Sequence, residues 1–319
     1  MYNRADYEQF ITHNALLTPC QKKAFLHTKR KLFYVDQKSD KQISTYLIHA
    51  EQSHDYNIAT RIYLLFNHFL KHDFVDKLLH GIKEKKYSDT KIYEYIMKHT
   101  EEHQKKQIQN YKTECSLYTY VFENLSLIIH QTFFPKADFM YLDISCGNGQ
   151  KTKLFGDKLG LPKKNIYGTD IAEWGPYKEN KTALPINFKL LTNNTLDFPD
   201  NHFHVLTIIF ALHHIDPDSI HQLLDEFVRV MTPDGILIVI EHNVLNDYDH
   251  LIIDMEHSMN SYLYEKKPDT AYAIYHNYLE WDYIVAQHGL KWVMGLPLTG
   301  SIGFEIRYDN PYYAIYQKK

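Results

Sequence analysis

Four groups of residues are of types, and at spacings, that can do chemistry. The first is the stretch Met140 to Gly149, MYLDISCGNG. Tyr141, Leu142 and Ile144 form a short apolar run, and Gly147 and Gly149 follow it with backbone freedom where side chains would block a ligand. A strand entering a helix through such a turn is the nucleotide-binding corner of a doubly wound α/β sheet, although a GxG pair alone is weak, because many loops carry two glycines for turn geometry only. The second is Asp170, which closes the apolar run of IYGTD 21 residues after Gly149. A carboxylate there can accept both hydroxyl hydrogens of a ribose. The third is the pair His213 and His214 in ALHHI, and the fourth joins Glu241 and His242 in IEHN to Asp254 and His257, three residues apart in LIIDMEHSMN. Open α/β sheets place substrates where strands end, so Glu241, His242, Asp254 and His257 are the candidates for acting on an acceptor, as an acid/base cluster or as a divalent-metal site. With 20 His in the chain some proximity of imidazole and carboxylate is expected by chance, so these residues are read as acid/base groups and no metal is assigned.

The elements that must position these groups change character near residue 136. Up to about residue 135 the chain reads as helical. Thr18, Pro19, Cys20 and Gln21 form a capping box, His54 to Lys71 has apolar residues at helical spacing, and Asp73 or Ser88 suits the start of the next two helices. Glu101 to Lys112 is polar all round, and Leu117 to Ile129 presents one apolar face before Pro135 ends the pattern, as if to pack against the edge of a sheet. From Met140 strands and helices alternate, which predicts a mostly parallel sheet with helices on both faces. Strands are expected at 141–144, 165–169, 187–191, 205–210, 236–240, 291–294 and 312–316, the last two as an antiparallel hairpin at the sheet edge. Asp216 and Pro217 start a helix that runs to Met231 and is stopped by Thr232 to Gly235, and a second amphipathic helix is expected from Ala271 to Gln287. The organisation is therefore a helical domain or layer over 1–135 and an α/β domain over 136–319, with an insertion at about 246–283 that is rich in Tyr. Tyr262, Tyr264, Tyr272, Tyr275 and Tyr278 could line a pocket there or serve as core.

LDISCGNG, GTDIAE, LDFPDNHFHVLTIIFALHHI and EFVRVMTPDGILIVIEHN, in this order, resemble the successive motifs of class I S-adenosylmethionine-dependent methyltransferases, the UbiE-like (type 11) group in particular, over about residues 137–319. An NAD-binding Rossmann domain is the near competitor, but its third glycine would fall at Thr152. The resemblance implies a Rossmann-like seven-stranded methyltransferase sheet and S-adenosyl-L-methionine as methyl donor. It carries the donor contacts onto Asp143, Ser145, Cys146, Gly147, Asn148, Gly149, Asp170, Ile171, Thr192, Asn193, Phe210 and His213: Asp143 toward the ammonium, the loop 145–149 toward the methionine part, Asp170 toward the ribose and the segment from Thr192 toward the adenine. Ser145, His204 and Asp234 stand where the group commonly has Gly, Asp and Gly. The acceptor is left open between a small molecule and an RNA, including a capped RNA end. The different-class alternative is a non-catalytic module that binds a protein partner on a methyltransferase-like scaffold.

Composition sets the outer bounds. Hydrophobic content of 44% without an 18-residue uncharged apolar run points to a soluble globular protein with no membrane partner. No apolar signal region stands at the N-terminus, and Cys20, Cys115 and Cys146 have neither metal-site nor disulfide-framework spacing, so a cytoplasmic location is expected. The net charge of −4 is uneven, mildly basic through residue 135 and acidic beyond. Lys22, Lys23, Lys29, Arg30 and Lys31 form the densest basic patch, which could meet the phosphates of an RNA but reads equally as a solvated helix face.

Overall fold

The computed structural model describes residues 9, 12–13, 42–52, 56–100, 116–134, 138–173, 186–265, 273–298 and 310–319. Strands β1 (Tyr141–Ile144), β2 (Ile166–Asp170), β3 (Asn187–Leu190), β4 (Phe203–Ile209), β5 (Met231–His242), β6 (Leu290–Pro297) and β7 (Pro311–Lys318) form one sheet in the order β3-β2-β1-β4-β5-β7-β6. The first five are parallel, and β7 runs antiparallel between β5 and the edge strand β6. The chain winds outward one way from β1 through β2 and β3 and the other way through β4 and β5, so the reversal falls between β1 and β4. Ligands of open α/β sheets bind beyond the strand ends at such a switch point.

Around the sheet lie α1 (Gln42–Gln52), α2 (Tyr56–Phe69), α3 (His72–Lys85), α4 (89–100), α5 (Ser116–Thr132), α6 (Gln150–Lys158), α7 (Pro217–Val230), α8 (Asp247–Glu265) and α9 (Tyr278–Ala286). Alternation along the strands sends Tyr141, Val205 and Ile236 to one face, under α5 and α6, and Leu142, Leu206 and Leu237 to the other, under α7 and α9. Because both faces are covered, the strands read as nearly continuous apolar runs. Phe122 of α5 packs on Phe155 of α6 at 4.7 Å between ring centroids, and Phe155 meets Tyr141 edge-on at 5.5 Å. Burying each such ring contributes roughly 1.5–3 kcal/mol. α5 thus lies on a face of the sheet beside α6, and not at the edge as its sequence pattern suggested.

Local chemistry explains the helix ends. Asp216 Oδ1 accepts from the backbone N–H groups of Asp218 and Ser219, both at 3.0 Å, and Pro217 occupies the first turn of α7. That helix ends at Val230, one residue before the sequence reading. Met231 already pairs with Phe203, and residues 232–235 are looped out before Ile236 pairs with Val205. The expected helix from Ala271 begins only at Tyr278. Asn277 caps it, accepting from Leu279 N and Glu280 N, while Glu280 reaches back to the Asn277 N–H. Likewise the pattern from His54 to Lys71 forms α2 only as far as Phe69, and Lys71 is the residue before α3. Ser88 serves as expected, its Oγ accepting from Lys91 N at 3.2 Å, whereas Asp73 lies inside the first turn of α3.

The helical layer is not packed on itself alone. Ile62, Phe66, Phe69, Leu78, Ile82 and Ile96 share one apolar cluster with Leu251, Ile252, Met255 and Met259 of α8. Arg61 of α2 forms a buried ion pair with Asp249 of α8 at 2.5 Å, and His49 Nδ1 meets Tyr248 OH at 2.7 Å. The insertion after β5 is therefore built into the core of the N-terminal helices. The Thr18 capping box, the basic patch 22–31, the polar segment 101–112, Pro135 and Tyr272 lie outside the described residues, as do the side chains of Tyr262 and Tyr264. No helix among the described residues is long and apolar enough to cross a membrane.

Candidate active site

The glycine loop leaves β1 through three residues of left-handed backbone, Ser145 at φ 57°, Gly147 at 54° and Gly149 at 73°. A Cβ on Gly147 would meet nothing within 4 Å, so the backbone angle and not crowding sets that residue type. Ser145 holds its angle with a side chain, at a cost of about 1–2 kcal/mol. Hydrogen bonds fix the curl: Cys146 N donates to Thr169 O at 3.0 Å, Gly149 N to Cys146 O at 2.9 Å, and Gln150 N to Asn148 Oδ1 at 3.1 Å. Gly147 N donates to Asp170 Oδ2 at 2.8 Å, which ties the loop to the end of β2. Cys146 packs down onto β2, where a Cβ on Gly168 would come within 2.8 Å of its Sγ. Burial pushes the Cys146 thiol well above its ordinary range, so it packs and is no nucleophile.

Asp143 is buried, and both of its oxygens have internal partners: Thr152 Oγ1 and Thr207 Oγ1 each donate at 2.6 Å. Burial raises its carboxyl to about 6 against the lowering effect of those two bonds. A direct bond to an ammonium would therefore have to displace or share one threonine. Thr152, at the position of a nicotinamide fingerprint's third glycine, instead clamps α6 to β1. Beside the buried Asp170, Ile171 is 71% exposed, an apolar surface next to a carboxylate. Thr192 and Asn193 sit on a turn closed by a Thr192–Thr195 bridge, with Asn193 and Asn194 at φ 52° and 54°. Phe210 also has a left-handed backbone, φ 51°, while its N–H donates to Ile240 O at 2.8 Å.

At the ends of β4 and β5 stands a group of imidazoles. His213 is buried on a 3₁₀ turn after β4, and its Nδ1 lies 2.7 Å from Glu241 Oε1. Its ring centroid is 4.1 Å from that of His214, 5.1 Å from His242 and 5.0 Å from His257. Tyr275 OH meets His257 Nδ1 at 3.1 Å, and Ile274 N donates to His213 O at 2.8 Å, so the 273–277 segment closes one side. Burial lowers the His257 imidazole well below its ordinary value, reinforced by His213, His242 and His214. For Glu241, burial works upward, but His213 and His242 outweigh it and leave the carboxyl below its ordinary range. Of the sequence-selected acceptor residues, Glu241, His242 and His257 come together. Asp254 is engaged elsewhere, its Oδ2 3.0 Å from His250 Nδ1 one turn earlier on α8. Sequence reasoning passed over Thr152, Thr207 and His250, and treated Tyr275 as wall or core. Only His250 left a signal, the i,i+4 spacing to Asp254.

Residues 142–235 match the family model described as a methyltransferase domain. This segment belongs to a class I methyltransferase domain of the UbiE-like kind. The methyltransferase domain is 36% identical over 106 residues to a demethylmenaquinone methyltransferase of Geobacillus stearothermophilus, covering 31% of this chain and 44% of that protein. A demethylmenaquinone methyltransferase of Listeria welshimeri is 33% identical over 106 residues, covering 31% and 43%. The chain thus spans less than half the length of these curated relatives. Among solved structures, the 1,6-didemethyltoxoflavin-N1-methyltransferase of Burkholderia thailandensis is 13% identical at a TM-score of 0.45, over 68% of this chain and 84% of that one.

Proposed function

We propose that this protein transfers the methyl group of S-adenosylmethionine to a small acceptor held at the imidazole group. The observation that carries the reading is the bond from Gly147 N to Asp170 Oδ2, which fixes a left-handed glycine loop and a ribose-type carboxylate in one corner at the switch point of the sheet. The residues suit the donor. The N-terminus of α6 favours its carboxylate, Asp170 its ribose hydroxyls, and exposed Ile171 a face of its adenine.

The donor supplies an already activated methyl on a sulfonium, so the protein has chiefly to align it with the acceptor and exclude water. Alignment alone is worth effective molarities of order 10⁵–10⁸ M. If the acceptor is an O–H group, a second imidazole of the group, His242, stands beside the site to take its proton. A small acceptor is favoured over an RNA because His213 and His242 are buried, with His257 of α8 and Tyr275 packed against them. The curated relatives carry names that specify a demethylated quinone, which makes quinols the first acceptors to assay.

Titration calorimetry with S-adenosylmethionine and its demethylated product tests the donor half. Wild type is expected to bind both, and Asp170→Ala to lose at least about 100-fold in affinity, since bonds to a charged group are worth about 1.5–3 kcal/mol each. No binding by wild type would favour a scaffold that has lost catalysis, and unchanged affinity in Asp170→Ala would move the site elsewhere.

A further inference from the structure

We propose that His213, His214 and His257 form a site for a divalent transition metal, Zn(II) first, with Glu241 as the carboxylate that orients His213. One ligand-capable atom from each of the three histidines lies within 4.8 Å of the others. Tetrahedral zinc with bonds of about 2.0–2.1 Å brings such atoms to roughly 3.4 Å. His214 is exposed and its ring already lies 4.1 Å from that of His213 and 5.1 Å from that of His257, so a small side-chain adjustment closes that gap.

The second observation is the state of His213. Its side chain is 1% exposed, Nδ1 is held by Glu241, and Nε2 has no hydrogen-bond partner among the described residues. A buried, unpaired imidazole nitrogen costs about 1–3 kcal/mol. A metal-ligating histidine characteristically carries a carboxylate on its opposite nitrogen, because that pairing fixes the tautomer and raises the basicity of the ligating atom, and His213 shows that pairing. On His257, Nδ1 meets Tyr275 OH at 3.1 Å, a contact that orients the ring toward His213 and His214. The rival set of His213, Glu241 and His242 is equally compact, but there the carboxylate would have to give up its bond to His213.

Three neutral imidazoles and an open position suit Zn(II), and suit Fe(II), Co(II) or Ni(II) by the same ligand chemistry; they do not suit Mg(II) or Ca(II), which take oxygen ligands. The open position would receive an acceptor oxygen and favour its ionised form, which assigns these histidines a role that a proton-accepting base alone does not require. Metal binding itself can be measured without donor or acceptor, so it stands apart from the methyltransferase reading.

The test uses the full chain freed of metal by a chelator and titrated with ZnCl₂ by calorimetry, and with CoCl₂ by visible absorption. The expected result is one equivalent bound at about micromolar Kd or tighter, with the intense visible bands of four-coordinate Co(II). His257→Gln is expected to weaken binding at least about 100-fold, and Glu241→Gln about 10–100-fold. His214→Ala changes an exposed residue, so folding is spared, and it should still weaken zinc at least about 10-fold. Wild-type binding weaker than about 100 µM, or unchanged binding in both His214→Ala and His257→Gln, would overturn the site, the latter by locating zinc on other histidines of the chain. S-adenosylmethionine titrated into His214→Ala separates the two proposals: retained donor affinity with lost zinc affinity supports the metal site, whereas equal loss of both means a disturbed fold and removes support from it.

Discussion

The two ends of the proposed active site are built in opposite ways. The donor corner is local: the glycine loop, Thr152 and Asp170 come from one β-α-β unit, and Gly147 bonds to a carboxylate 23 residues away. The imidazole end is assembled from four separate pieces of chain, the turn after β4, the end of β5, α8 and the 273–277 segment. One of these pieces, α8, takes its position from helices near the opposite end of the sequence. On the proposed reading, a donor common to many reactions is served by a portable motif, while the end proposed for the acceptor can be remodelled by moving one helix.

The sharpest way to break this comparison is to cut the tie that places α8. Arg61→Ala strands Asp249 in the core, and losing one partner of a buried ion pair costs about 3–5 kcal/mol. Chemical denaturation should show that loss, and zinc affinity should fall while S-adenosylmethionine affinity is kept. Equal loss of both ligands would mean that the two ends are not separately built.

The donor end has its own signature in pH. Asp143 is raised by burial from 3.8 to about 6. Between those values the unfolded chain has released a proton that the folded chain still holds, so stability falls as pH rises through this window. The total decline should be about 3 kcal/mol, complete above about pH 6 and absent below about pH 4. Denaturation at a series of pH values should show that component in wild type and not in Asp143→Asn.

The smallest of these effects sharpens the contrast at one atom. Gly168→Ala would set a methyl group 2.8 Å from Cys146 Sγ, forcing the loop outward at a cost of about 1–3 kcal/mol. Donor affinity should weaken, and Cys146→Ala in the same chain should restore much of it, because the clash is with that sulfur. Failure of the second change to rescue would place the strain in the backbone of β2.

The same asymmetry decides how much could be read from the sequence. The central strands show as apolar runs, since a sheet covered on both faces writes its pattern locally, while the edge strand β3 is marked only by alternation of polar and apolar residues. The glycine loop and Asp170 are equally visible. By contrast, the pairing of His213 with Glu241 spans 28 residues and that of Arg61 with Asp249 spans 188, and no periodicity records either. Asp254 and His257 share a helix face, yet Asp254 turns to His250, a choice made by a neighbouring side chain and not by spacing. The late start of α9 was legible in principle, because Asn277 and Glu280 form a capping box that outweighs the apolar pattern before it.

The shared core of α8 and the N-terminal helices also bears on motion. Proteins open in cooperative units, and a helix opens with the elements that bury its apolar face. Leu251, Ile252, Met255 and Met259 give α8 to the unit that holds Ile62 and Phe66, while Gly147 and Asp170 belong to the central strands. His257 is therefore expected to exchange with the helical layer, so hydrogen exchange should show a partial opening that uncovers the imidazole group while the glycine loop stays protected.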